Sequence, residues 1–353
     1  MARKTSPDEL PTRWRWIASA EPSAPLEDEA PHAVAHALGH KRVESLPRRP
    51  CAAGSVFWSA AAAPDLALLP RAIRLTVYGG ERQAQLAALL DAAAMHPWLQ
   101  HLAVIDGGLT ALPPAPWRPA RLYALSFERS ELREAPAALG ALPRLRALEL
   151  SGNPIERVAP ELADAPLRWL SVGGSSYAPA PLDSLPALGV EKLSLAWAPR
   201  FTTALARFPR LRALALHGAV GPDGLPADLG DLASLRHLAL AYSPRDEVPA
   251  AARRLADLET LALPYGAFTR LPAWLPELRA LRGLAVFGCA KLDPDGVASA
   301  VASLPALRWV FLPFPFPDGA RKALRAFGFA SRTGNPSVME RGGEIDDPFP
   351  EIR

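Results

Sequence analysis

The sequence predicts an α/β solenoid, a stack of short units that each give one strand to a parallel sheet on the concave face. Three observations predict it. An apolar-x-x-apolar-x-apolar triplet recurs at a spacing of about 23 residues, and the second half of each unit recurs with it. The chain also carries 39 prolines among 353 residues. Proline fixes φ and lacks the N–H, so this many would break long helices or a central sheet. They suit a chain that turns every few residues.

The triplet runs through Leu99/Leu102/Val104, Leu122/Leu125/Phe127, Leu145/Leu148/Leu150 and Leu167/Leu170/Val172. It continues through Val190/Leu193/Leu195, Leu211/Leu214/Leu216, Leu235/Leu238/Leu240, Leu258/Leu261/Leu263 and Leu281/Leu284/Val286. A weaker copy, Ala72/Leu75/Val77, opens the series, and Leu307/Val310/Leu312 closes it, for about 11 repeats in all. The second and third apolar positions alternate around a residue facing the other way, the pattern of a short half-buried strand. Behind each strand comes a return segment such as Leu132, Ala135-Pro136, Leu139 and Leu142. No unit can bury its own leucines; stacking neighbours gives them a shared core. Two return segments read as helices. Glu81 to Met95 sets Leu86, Leu89, Leu90 and Ala93 on one face. Asp293-Pro294 before Val297 to Leu304 reads as a capped helix start.

These units resemble the leucine-rich-repeat family, in the variety that carries Leu-Pro after the strand, over Ala72 to Leu312. The resemblance implies a binding surface on the concave face. It also implies Asn in the turn after the strand, and here only Asn153 fills that place. Gly107, Ser130, Ser175, Ala198, Ala219, Ser243, Gly266 and Cys289 fill the others. Cys is an accepted substitute in the family, but Ala and Gly have no side chain to bond with, so backbone in their turns must bond to neighbouring main chain or to water.

The domain reading follows. Residues 1–26 read as a flexible arm and 27–69 as an N-terminal cap, with a helix over His32 to Leu46. The solenoid covers 70–317. Ala320 to Phe327 in 318–330 forms the C-terminal cap, where Phe327 and Phe329 could close the last core layer, and 331–353 reads as a flexible tail. The 39 basic and 36 acidic residues are interspersed, net +3, which is no nucleic-acid footprint. Trp14-Arg15-Trp16 reads as packing on the cap, since three residues make no basic stripe. Pro64 and Asp65 interrupt the best apolar run, so no membrane span is expected. Two cysteines, Cys51 and Cys289, read as free thiols in a reducing, cytoplasmic setting.

No catalytic signature is present: no nucleophile elbow, phosphate loop or His-Glu-x-x-His. Gly173-Gly174-Ser175-Ser176 reads as a turn. His32, His36 and His40 would share a helix face, but a closed metal site needs four ligands. No cofactor or metal is expected. What remains is the surface opposite the leucines. Between the second and third triplet residues it is nearly all Ala or Ser, a smooth floor. Aromatic and imidazole groups edge it: Trp169, His237 and Trp309 on one side, Trp197, His217, Tyr242, Tyr265 and Phe287 on the other. Arg212 and Arg236 stand in a column of arginines after the first leucine. Aromatics and arginine dominate protein interfaces; the column could equally be a solvated repeat consensus lying on its aliphatic stems. The expected function is capture of a protein partner on the concave face. The alternatives are a structural or regulatory subunit binding through the convex side or the tail, and an enzyme with an unrecognised site.

Overall fold

The computed structural model describes residues 55–59, 74–78, 86, 90, 91, 93, 99–112 and 122–342, apart from 222, 224, 314, 333 and 334. The chain divides into two units, Met1–Val190 and Glu191–Arg353.

In the first unit the strands β1 (Ser55–Ser59), β2 (Arg74–Tyr78), β3 (His101–Ile105), β4 (Ala124–Glu128), β6 (Ala147–Ser151) and β8 (Trp169–Gly173) pair in that order. Every pair is parallel. The two-residue strands β5 (Glu134–Ala135) and β7 (Arg157–Val158) form a separate small sheet on the return segments. Register matches Leu75, Leu102, Leu125, Leu148 and Leu170 across neighbours, and each is almost fully buried. The predicted triplet therefore forms one apolar spine. A buried leucine contributes about 1.5–3 kcal/mol of transfer free energy, and only the neighbouring repeat can bury it.

The second unit repeats the scheme. Strands β9 (Lys192–Ala198), β10 (Ala213–Val220), β11 (His237–Ala241), β12 (Thr260–Ala262), β13 (Gly283–Ala285) and β14 (Trp309–Phe311) are parallel in sequence order. Leu193, Leu214, Leu238, Leu261, Leu284 and Val310 align in the core. Most return segments are single 3-10 turns, such as Leu229–Asp231 and Leu275–Glu277. Longer returns are α-helical: α1 (Pro294–Ala302) and α2 (Asp318–Ala326). The Asp293 carboxylate caps α1 by accepting from the Gly296 N–H at 2.9 Å. In the first unit Leu86, Leu90 and Ala93 are helical and buried, as their spacing predicts.

Three expectations at the ends are corrected. The parallel stack begins before residue 70, because β1 lies inside the segment read as a cap and pairs Val56 with Leu75 and Trp58 with Val77. Its triplet is Ala53/Val56/Trp58, with no leucine to announce it. The segment read as a tail from residue 331 contains most of a hairpin, β15 (Ala330–Arg332) and β16 (Asn335–Glu340), and β16 runs antiparallel to β14. Val338 and Met339 are buried there, and the Arg341 guanidinium donates to the carbonyls of Leu304, Pro305 and Leu307. A sheet edge with exposed N–H and C=O groups invites pairing, and the hairpin covers the edge of β14. Phe329 is buried as expected, but Phe327, at the C-terminal end of α2, is 48% exposed. The arm, most of the cap, Trp14-Arg15-Trp16, the three histidines and Cys51 lie outside the described residues.

The turns after the strands behave as the missing asparagines require. Asn153 is buried and holds the turn of the preceding repeat by both amide atoms. Ser130 does part of this work, accepting from the Gly107 N–H at 3.3 Å. The Cys289 Sγ donates to the Leu263 carbonyl at 2.8 Å. Where Ala198 or Ser243 stands, main chain of the next repeat supplies the bond: the N–H groups of Gly221 and Ala267 donate to their carbonyls at 3.0 Å.

Candidate functional site

Strand alternation sends Leu193 and Leu195 into the core, so Lys192 and Ser194 face the other way. In the second unit this opposite face has two aligned rows. One runs Lys192, Ala213, His237, Thr260, Gly283, Trp309; the other runs Ser194, Ala215, Ala239, Ala262, Ala285, Phe311. The smooth alanine floor is present but covered. Ala239, Ala262 and Ala285 form a closed cluster with Trp309, and Phe287 and Phe311 pack against it. Trp309 is only 5% exposed. A Cβ built on Gly283 would lie 2.0 Å from its indole, so the ring rests on that glycine. Trp309 therefore serves as packing over the floor rather than as an open contact. Gly283→Ala is expected to displace the ring and cost about 2 kcal/mol by overpacking, read as a lower urea midpoint at unchanged m-value.

The surface of interest lies where the chain leaves each strand. One repeat position there takes a left-handed backbone. In the first unit it is Asp106 (φ 55°), Arg129 (φ 48°) and Gly152 (φ 74°). In the second it is Trp197 (φ 47°), Gly218 (φ 67°), Tyr242 (φ 52°), Tyr265 (φ 54°) and Gly288 (φ 72°). Glycine takes this conformation without cost, whereas a Cβ there costs about 1–2 kcal/mol. For a bulky ring it is an outlier. Backbone amides at the position stay bonded: Tyr242 donates to the Pro264 carbonyl at 2.9 Å and Tyr265 to that of Phe287 at 3.0 Å.

The two units use this position differently. In the first, Arg129 makes a two-pronged ion pair with Asp106, at 2.7 and 2.9 Å. The bond lowers the Asp106 carboxyl and raises the Arg129 guanidinium from their usual ranges. Both side chains are more than half exposed, so the pair is a solvated surface contact.

In the second unit the position builds an aromatic ladder. Trp197 meets Tyr242 at a centroid distance of 6.5 Å, and Tyr242 stacks on Tyr265 at 5.0 Å with 10° between planes. Tyr265 meets Phe287 edge-on at 5.3 Å, and Phe287 meets Phe311 at 4.6 Å. The glycines make room: a Cβ on Gly218 would lie 2.3 Å from the Trp197 ring, and one on Gly288 2.3 Å from Tyr265. Trp197, Phe287 and Phe311 are partly covered, while Tyr242 and Tyr265 remain 49% and 52% exposed. The two tyrosines are therefore the accessible rungs.

The remaining predicted residues sort as follows. His217 and His237 share this face with the ladder. Burial lowers the His217 imidazole below its usual range. Burial, then Lys192 and Arg236, lowers His237 to about 4, and its Nδ1 has no hydrogen-bond partner among the described residues. Lys192, which the sequence reading passed over, is held down to about 6 by burial; its register with His237 through Ala213 is visible in the repeat spacing. Arg212 and Arg236 stand at the opposite end of the strands, linked rung to rung by the Arg236 N–H donating to the Arg212 carbonyl at 2.8 Å. They line a cavity of about 520 Å³ with Glu191, Pro209, Arg210 and Ser234. Trp169 belongs to the first unit, where it packs on Ala124 and Ala147 beside Tyr123. Gly218 and Gly288, unremarked in the sequence, are essential to the ladder's geometry. Their signal was that only glycine or an aromatic fills this repeat position in the second unit.

No group of three or more His, Cys, Asp or Glu among the described residues could hold a metal ion, and no helix among them is long and apolar enough to cross a membrane.

No model of a known protein family matches the chain, and no curated protein matches it. Among solved structures it is similar to a chain of the Drosophila Toll–Spatzle complex, at 14% identity over 72% of this chain and 45% of that one, TM-score 0.44. It is similar to a chain of the TLR13–ssRNA13 complex, at 17% identity over 68% of this chain and 43% of that one, TM-score 0.40. It is also similar to human 5T4, at 25% identity over 60% of this chain and 76% of that one, TM-score 0.40. The chain thus spans less than half the length of the Toll-complex and TLR13-complex chains it matches.

Proposed function

We propose that this leucine-rich-repeat protein is a non-catalytic interaction module that captures a protein partner on the aromatic ladder of its second unit. One observation carries the reading. Three bulky aromatics, Trp197, Tyr242 and Tyr265, occupy a left-handed position that glycine fills at Gly218 and Gly288. Strain kept at a site where glycine would relieve it points to function. Two of the three rings are half exposed and stacked, and tyrosine and tryptophan are the residue types that anchor interfaces.

The test is a comparative pull-down from the source organism with the full chain and a Tyr242→Glu/Tyr265→Glu variant. A band retained by the parent and missing from the variant, with unchanged circular dichroism, is the expected result. Equal retention by both would move the contact elsewhere. For binding through the tail, deletion of residues 343–353 is the suitable probe. Truncation after Ala330 would remove β16 and its buried Val338 and Met339.

A further inference from the structure

The ladder is one edge of a face whose other edge is basic. The row preceding the strands runs Glu191, Arg212, Arg236, Glu259, Arg282 and Arg308, each N–H from Arg212 onward donating to the carbonyl of the preceding member. Within it, Arg236 is occupied by Asp257 at 3.0 Å and Glu259 at 3.9 Å. Arg210 and Arg212 are exposed and have no ion pair among the described residues. They open onto the 520 Å³ cavity, whose one acidic lining residue is Glu191. On the strands beside it lie Lys192, buried, and His237, half-buried, both cationic only at the cost of desolvation. An unpartnered imidazole nitrogen at His237 adds a donor or acceptor with nothing to bond.

Resting on the reading of the ladder as a docking surface, we propose that the partner segment is acidic, extended, and laid across this sheet. Its carboxylates enter the cavity beside Arg210 and Arg212, and its apolar side chains reach Tyr242 and Tyr265. Charge complementarity selects this occupant. Guanidinium groups bind carboxylates by paired, charge-assisted hydrogen bonds. A carboxylate nearby also offsets the burial that disfavours charge on Lys192 and His237. The span fixes the spacing. Arg236 and Tyr242 stand at opposite ends of β11, about 20 Å apart for an extended chain. An extended ligand advances by the same step, so its acidic and its apolar anchors lie about six residues apart.

The test uses fluorescence anisotropy of the full chain with three labelled probes: a random Glu/Tyr copolymer, poly-lysine and oligo(dT). Copolymer binding that weakens with salt, falls at least tenfold in Arg210→Glu/Arg212→Glu, and is absent for poly-lysine is the expected result. Both arginines are exposed, so folding is checked only by circular dichroism. No copolymer binding, or binding indifferent to the arginine substitutions, overturns the proposal. Oligo(dT) bound as tightly and with the same arginine dependence also overturns it, in favour of a phosphate-directed contact. A Tyr242→Gly/Tyr265→Gly variant separates the two claims. If it loses the copolymer while the arginine variant keeps it, the ladder stands and the acidic partner falls. If neither variant changes binding, both fall.

Discussion

Tyr242→Gly/Tyr265→Gly is expected to abolish partner capture while leaving the unfolding free energy within about 1 kcal/mol of the parent per position. Three opposing terms set that figure. Glycine relieves the left-handed backbone at φ 52° and 54°, about 1–2 kcal/mol each. Loss of the tyrosine stack at 5.0 Å and of the contacts with Trp197 at 6.5 Å and Phe287 at 5.3 Å removes about 1 kcal/mol per ring pair. The greater freedom of glycine in the unfolded chain removes about 0.5–1 kcal/mol more per position. The balance is a net loss of under about 1 kcal/mol per position. Tyr242→Ala/Tyr265→Ala loses the rings but keeps a Cβ at the strained position, so it should be less stable than the glycine variant by about 1 kcal/mol per position. Urea denaturation of the three proteins reads the order directly. A glycine variant no more stable than the alanine one would mean that the strain is absent, and the functional argument drawn from it would go too. The pattern sought, function lost at little cost in stability, is what a site retained for binding leaves behind.

The repeat was legible because its physics is local. Each leucine triplet carries its own strand signal, and stacking follows from the inability of one unit to bury it. That is why the strand register, the core leucines and the capped start of α1 agree with the sequence. Two failures have one cause. β1 carries the strand alternation without leucine in alanine-rich surroundings, and β16 carries neither leucine nor a regular alternation, so nothing marked them off from cap and tail. The face opposite the core was legible as a set of columns but not as a surface. Sequence spacing places Trp309 and Tyr265 on the same face; it does not say that the first lies down on Gly283 and the second stands half exposed beside Gly288. Ring direction depends on which neighbour lacks a Cβ, a relation between residues one repeat apart. Lys192 was missed for a similar reason, as it becomes notable only through its proximity to His237 across Ala213.

Asn153→Ala is expected to be the costliest single substitution in the first unit's turns, at about 4 kcal/mol. Asn153 is fully buried, and its Oδ1 accepts from the N–H groups of Ser130 at 2.7 Å and Leu132 at 3.1 Å. Its Nδ2 donates to the carbonyls of Phe127 at 2.6 Å, Leu150 at 2.9 Å and Ser151 at 3.3 Å. Three of these five partners, Phe127, Ser130 and Leu132, belong to the preceding repeat, so the side chain joins two units of the stack. Alanine leaves two buried N–H groups without an acceptor, each costing about 1–3 kcal/mol, and removes the donor to three carbonyls. Neighbouring turns show how much a smaller group can restore. Ser130 itself accepts from the Gly107 N–H and donates to the Glu128 carbonyl at 3.0 Å. Asn153→Ser should therefore recover about half of the loss. Amide hydrogen exchange at Ser130 and Leu132 reads the mechanism alongside the urea midpoint. Both amides should lose protection in the alanine variant, and one should regain it with serine. A loss below about 1 kcal/mol, the usual net value of a single hydrogen bond, would mean that main chain or water replaces the amide.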